Sequence, residues 1–119
     1  MKKKIFTSLG IMSGTSMDGV DLSLIKTDGE TQFTPILDDY FEFDLKLQEK
    51  LINLRSKITK YEDLKKYSKE INEIEKEYTL FNGEIISKTL KNYDEEVDLI
   101  GFHGQTIFHN TDIKISKQL

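Results

Sequence analysis

Residues 10–21, Gly10-Ile11-Met12-Ser13-Gly14-Thr15-Ser16-Met17-Asp18-Gly19-Val20-Asp21, bring three glycines, three hydroxyl side chains and two carboxylates into twelve positions, directly after a short apolar run. Glycine lets the backbone approach a ligand closely and adopt positive φ. Hydroxyls and free backbone N–H groups donate to phosphate oxygens. Carboxylates supply oxygen ligands to Mg²⁺, directly or through water. Together these residues describe a phosphate-and-metal loop at the end of a strand; by composition alone the same cluster is a Gly-rich turn. A second polar cluster, His103-Gly104-Gln105-Thr106, follows the apolar run Val97-Asp98-Leu99-Ile100-Gly101-Phe102. Ligands of open α/β sheets bind outside the carboxyl ends of such strands.

Other chemistries fit these clusters less well. The first lacks the Lys of a P-loop. Gly14-Thr15-Ser16-Met17-Asp18 misses the G-x-S-x-G nucleophile elbow because Asp18 stands at the last Gly. A subtilisin-like serine hydrolase at Ser16 would need the order Asp, His, Ser, whereas Ser16 precedes His103. His103 and His109 lie six residues apart with no thiolate in the chain, which does not make a zinc site.

The elements that must position these clusters are legible from periodicity. Residues 5–12 read as a strand, and residues 20–27 alternate, with Val20, Leu22 and Leu24 on one face. Asp28-Gly29 signals a hairpin turn, and a third strand is expected over 31–43, with Pro35 at an edge or bulge. Asp44 can cap a helix over 45–55 with Leu47, Leu51 and Leu54 inward. Thr59 and Glu62 have capping-box spacing. The steps Tyr61, Leu64, Tyr67, Ile71, Ile74, Tyr78, Phe81, Ile85 and Leu90 predict one long amphipathic helix over 61–92, its Lys and Glu on a solvated face. Residues 97–102 read as a buried strand. The tail to Leu119 alternates only weakly and has no closing helix.

Composition bounds the rest. A chain of 119 residues holds one small domain. It is 37% hydrophobic and 32% charged, with net charge −4, a soluble globular profile. Basic residues concentrate only at Lys2-Lys3-Lys4, so no nucleic-acid partner is expected. Nothing approaches the ~20 apolar residues of a membrane span. The basic start and the apolar residues after it look superficially like a signal peptide, but no small-residue cleavage site follows, and the segment reads as a first strand. The absence of cysteine excludes disulfides and thiolate metal sites, and is compatible with a reducing cytoplasm.

The run Gly10 to Asp21, taken with Ile100-Gly101-Phe102-His103-Gly104-Gln105-Thr106-Ile107-Phe108-His109, resembles the anhydro-N-acetylmuramic acid kinases of the actin/hexokinase/Hsp70-like ATPase superfamily. Both segments occur in the family's order and separation. Phe102 stands where the family has Ser, so no hydroxyl is available there.

The resemblance implies an α/β fold, a ribonuclease-H-like half-domain with a three-stranded antiparallel meander, helices and a parallel fourth strand. It implies that Gly14, Thr15, Ser16, Met17, Asp18, Gly19, Val20 and Asp21 form the ATP phosphate loop. Asp18 and Asp21 would organise Mg²⁺ through water, and His103, Gly104, Gln105 and Thr106 would lie near the sugar. The family uses ATP to open the anhydro ring and phosphorylate O6, giving N-acetylmuramic acid 6-phosphate in peptidoglycan recycling in the cytoplasm.

Family members are longer and have two domains. The resemblance therefore implies that residues 1–119 are an incomplete N-terminal ATPase-fold domain, with the second domain and the general-base Asp beyond Leu119. Such a piece is expected to be inactive alone, to need a polypeptide supplying the rest, and to self-associate through an exposed sheet edge. The alternative is a non-catalytic nucleotide- or partner-binding remnant of the same fold.

Overall fold

The structure, a computed structural model, describes residues 4–119; Met1, Lys2 and Lys3 of the basic start lie outside the described residues. Three strands form an antiparallel meander: β1 (Phe6–Met12), β2 (Gly19–Thr27) and β3 (Phe33–Glu42). Alternation places Leu9 and Ile11 of β1 opposite Leu24 and Leu22 of β2, all four buried on one face. The 28–32 turn is organised by Asp28, whose Oδ1 accepts the N–H groups of Glu30, Thr31 and Gln32, each at 2.9 Å. Those donors, led by Gln32 and Glu30, hold the Asp28 carboxyl at about 2. β3 is an edge strand, and its register shifts beside Pro35, as expected of a residue that cannot donate to a ladder.

Helices cover the apolar face. α1 (Leu45–Lys57) is capped by Asp44, whose Oδ1 accepts from Leu47 N–H at 2.8 Å, and it buries Leu47, Leu51 and Leu54. The expected single helix over 61–92 is instead two, α2 (Asp63–Lys66) and α3 (Ser68–Lys91), broken at Tyr67 with φ −103° and ψ 22°. The cap is also one residue later than the Thr59–Glu62 spacing implies. Asp63 Oδ2 accepts Thr59 N–H at 3.0 Å, Lys60 N–H at 3.1 Å and Thr59 Oγ1–H at 3.1 Å, while Glu62 makes no capping bond. A one-residue break leaves the three- and four-residue steps of Leu64, Tyr67 and Ile71 intact, so periodicity does not register it. α3 buries Ile71, Ile74, Tyr78, Asn82, Ile85 and Thr89. Asn82 and Thr89 turn their donors back to Tyr78 O and Ile85 O, both at 2.8 Å.

The chain then returns to the sheet. β4 (Leu99–Phe102) pairs parallel with β1, giving the order β3-β2-β1-β4. Its start is pinned reciprocally: Asp98 N–H donates to Thr7 O and Thr7 N–H donates to Asp98 Oδ2, both at 2.8 Å. β4 is not the buried strand its apolar sequence suggests. Leu99 and Ile100 are each 55% exposed and Phe102 48%, because the strand lies at the sheet's edge, beyond the helices that cover β1 and β2.

The tail forms a hairpin of its own, β5 (Thr106–Asn110) with β6 (Ile115–Gln118). A register irregularity between Thr106 and Phe108 lets the consecutive residues Ile107 and Phe108 both be buried, which masks the alternation.

Candidate functional site

Residues 13–18 leave β1 and turn back into β2 beside the carboxyl end of β4. Four of the turn's six carbonyls are tied down. Gly14 O accepts Met17 N–H at 3.3 Å and Gln105 Nε2–H at 3.0 Å. Thr15 O accepts from Arg55 Nη1, Met17 O from Gln48 Nε2 at 3.3 Å, and Asp18 O from Phe43 N–H at 3.0 Å. Gln48 and Arg55 lie two turns apart on α1, so that helix braces the loop at two points. Within this turn the exposed residues are Thr15, Ser16 and Asp18. The hydroxyls of Thr15 and Ser16 have no hydrogen bond among the described residues, and Ser16 makes none to either histidine.

Two core residues hold this shape. Met17 has φ +58°, an uncommon conformation for a side-chain-bearing residue, and its side chain is 0% exposed. Gly19 meets the end of β3 so closely that a Cβ there would lie 2.8 Å from Tyr40 Oη and 2.9 Å from Glu42 Cα, and would overlap Phe41 O.

The second cluster meets the first end to end. His103 N–H donates to Ile11 O at 3.2 Å, carrying the β1–β4 pairing one residue beyond β4. Gly104 has φ +84°, and a Cβ there would overlap Leu119 O, so only glycine fits. Ser13 Oγ–H donates to Gly104 O at 3.3 Å and Gln105 Nε2–H donates to Gly14 O, two reciprocal bonds across 91 positions of sequence. Ser13 Oγ also lies 2.6 Å from Tyr78 Oη. Its one proton goes to Gly104, so the Tyr78 hydroxyl is the donor in that bond. Burial pushes the Tyr78 phenol's pKa up, against the lowering effect of Ser13 and Asn82, which keeps the donor proton in place at neutral pH. Gln105 is 0% exposed, and its Oε1 has no partner among the described residues.

Negative charge gathers on the other side of the loop. Burial, then the charges of Asp18, Glu42 and Asp21, raise the pKa of the Tyr40 hydroxyl. Asp21 also lines an open cavity of about 500 Å³ together with Ser23, Gly10, Gly101 and His103. No group of three or more His, Asp or Glu side chains poised to hold a metal occurs among the described residues. Asp18 and Asp21 are exposed carboxylates beside a loop of donors. Two carboxylates are too few for an all-protein cage, so a cation held by them would keep most of its water.

The structure thus brings the two sequence clusters together and divides the expected site residues by depth. Thr15, Ser16, Asp18, Asp21 and His103 are exposed, and Gly14 and Thr106 are half-buried. Met17, Gly19, Val20, Gly104 and Gln105 are buried, so the side chains of Met17, Val20 and Gln105 shape the site from behind. Sequence reasoning gave no role here to Gln48, Arg55, Tyr40 or Tyr78. Gln48 and Arg55 are indistinguishable in sequence from a solvated helix face, and Tyr78 reads as core.

A meander, a helical crossover and a parallel fourth strand whose end meets the first turn make up the opening half-domain of the ribonuclease-H-like, actin-like ATPase fold. The two paired clusters stand together where β1 and β4 end. A family model described as anhydro-N-acetylmuramic acid kinase matches residues 6–119, and the chain belongs to that family. It is 54% identical over 117 residues to an anhydro-N-acetylmuramic acid kinase of Pelagibacter ubique, covering 98% of this chain and 31% of the relative. It is 34% identical to one of Rhizobium johnstonii, covering 97% and 32% respectively. The chain therefore spans about a third of the length of the curated relatives it matches. No helix among the described residues is long and apolar enough to cross a membrane.

Proposed function

We propose that this chain carries the nucleotide-phosphate portion of an anhydro-N-acetylmuramic acid kinase, with ATP as phosphoryl donor and the anhydro amino sugar as acceptor, acting in peptidoglycan recycling in the cytoplasm. The observation that carries this reading is the 13–18 turn. Four of its carbonyls, those of Gly14, Thr15, Met17 and Asp18, are engaged by Gln105, Arg55, Gln48 and Phe43, while Thr15, Ser16 and Asp18 face solvent. A turn with most of its carbonyls engaged and its Thr15 and Ser16 hydroxyls exposed can offer donors to an anion, and phosphoryl transfer depends mainly on positioning and charge stabilisation. Asp18 and Asp21 would hold a hydrated Mg²⁺, which supplies neutralisation of phosphate charge. His103 lines the same cavity as Asp21, which supports a place near the sugar.

The general base is proposed to come from a further polypeptide portion, so that residues 1–119 alone do not turn over; this rests on the chain spanning about a third of the relatives it matches. The test is calorimetric Mg·ADP binding to this chain, followed by phosphoryl transfer to the anhydro sugar with and without the remaining two-thirds of a relative added in trans. Binding that Thr15→Ala or Asp18→Asn weakens about tenfold or more supports the reading, since each removes one oxygen-based contact. Turnover by the 119-residue chain alone refutes the need for a second portion. A non-catalytic nucleotide- or partner-binding module is the second reading, favoured by the exposed apolar side chains of β4. It predicts Mg·ADP binding without turnover even when the remainder is supplied.

A further inference from the structure

We propose that Tyr78 is a positioning residue for the 13–18 loop: through Ser13, its hydroxyl makes that loop and the 103–106 segment a single mechanical unit. Three elements meet at this phenol. Its ring lies 6.0 Å from Phe43, just before α1, and 6.0 Å from Phe102, at the end of β4. Its hydroxyl donates to Ser13 Oγ at 2.6 Å, and Ser13 donates onward to Gly104 O at 3.3 Å. Both side chains are buried, Tyr78 at 1% exposure and Ser13 at 3%, so water does not compete for these bonds.

The chain of donors is directional. Without the phenolic proton, Ser13 Oγ loses its incoming bond and is free to rotate away from Gly104. The brace between the two segments then falls to Gln105 alone. Packing does not require a hydroxyl here, since Phe would fill the same space between Phe43 and Phe102. The oxygen is therefore placed for Ser13 rather than for the core.

The inference rests on the proposed nucleotide-phosphate reading for its functional consequence, but not for its structural one. The experiment uses the 119-residue chain and two readouts. In amide hydrogen exchange, Met17 N–H reports on the loop and Leu119 N–H, bonded to Gln105 O, reports on the second segment; Ile71 N–H reports on α3. Tyr78→Phe is expected to lower protection at Met17 and Leu119 together by about tenfold, the ratio one hydrogen bond supplies, with Ile71 unchanged.

In calorimetry well below the melting temperature, Mg·ADP affinity is expected to fall by a similar factor in Tyr78→Phe, whereas the core variant Ile85→Val leaves it unchanged. Ser13→Ala combined with Tyr78→Phe is expected to bind no more weakly than Ser13→Ala alone, because the two act in series. It should also melt higher than Ser13→Ala, which strands a buried phenol. Unchanged exchange at Met17 and Leu119 in Tyr78→Phe, or simply additive effects of the two substitutions, overturns the proposal. If the unaltered chain binds no Mg·ADP, the phosphate reading fails, and the exchange and melting results still decide whether Tyr78 positions the loop.

Discussion

Replacing Gln105 separates the work of its two amide atoms. Nε2 donates to Gly14 O at 3.0 Å, while Oε1 is buried without a partner. In Gln105→Leu, a substitution of similar volume, losing the 3.0 Å bond costs about 1 kcal/mol, a long 3.5 Å contact of Nε2 with Thr106 O goes with it, and Gly14 O keeps Met17 N–H. Removing the buried acceptor Oε1 returns about 1–3 kcal/mol. The two effects oppose, and the melting temperature should stay level or rise by a few degrees. Gln105→Glu keeps the shape but places a carboxylate against Gly14 O in a site with 0% exposure, which costs several kcal/mol. Burial raises that carboxyl's folded pKa above its unfolded value of about 4.3. The penalty is therefore small below pH 4 and grows as pH rises above it. The assay is thermal melting monitored by circular dichroism for both variants at pH 4 and pH 8. A Leu variant melting more than about 10 °C below the parent, or a Glu variant as stable as the Leu variant at pH 8, would refute this account of the amide.

Gly19→Ala pushes a methyl group into the backbone at Phe41 and Glu42, and is expected to cost about 1–3 kcal/mol or more, seen as an earlier midpoint in urea unfolding. Asp28→Ala removes a carboxyl whose folded pKa is depressed to about 2 by the amides of Gln32, Glu30 and Thr31. The stability that carboxyl supplies is present above its unfolded pKa and disappears as pH falls through about 2. Parent and variant should accordingly differ in melting temperature at pH 6 and converge toward pH 2. Self-association through the exposed edge strand β4 is proposed, and Ile100→Lys, which places a charge there, is then expected to lower the sedimentation coefficient; a parent that already sediments as a monomer refutes the proposal.

Much of the architecture was legible because it is local. The alternation of Val20, Leu22 and Leu24, the Asp28-Gly29 turn and the Asp44 cap each depend on neighbours within a few residues, and all stand in the structure as read. The break at Tyr67 was not legible, because Asp63, not Glu62, captures the Thr59 and Lys60 amides, and that choice is a matter of a single residue's geometry. The exposure of β4 was not legible either. An apolar strand reads the same whether its flanks are covered or bare, and coverage depends on what else packs on the sheet. The tail hairpin escaped because its register irregularity breaks the alternation that would have signalled it.

For the site, the residue types were determined by the sequence itself: the glycines, hydroxyls and carboxylates of 10–21, the His103-Gly104-Gln105-Thr106 cluster, and with them the family. What tertiary structure alone decided is depth and direction. Gln105 has the same chemistry whether it reaches a ligand or turns inward; the 3.0 Å bond to Gly14 turns it inward. The loop that exposes Thr15 and Ser16 is held by Arg55 at Thr15 O and by Gln48 at Met17 O, forty and thirty-one residues from the carbonyls they bond. Tyr78 belongs to the site only because α3 crosses behind Ser13. These relations join positions distant in sequence, and no local periodicity encodes a hydrogen bond made across the fold.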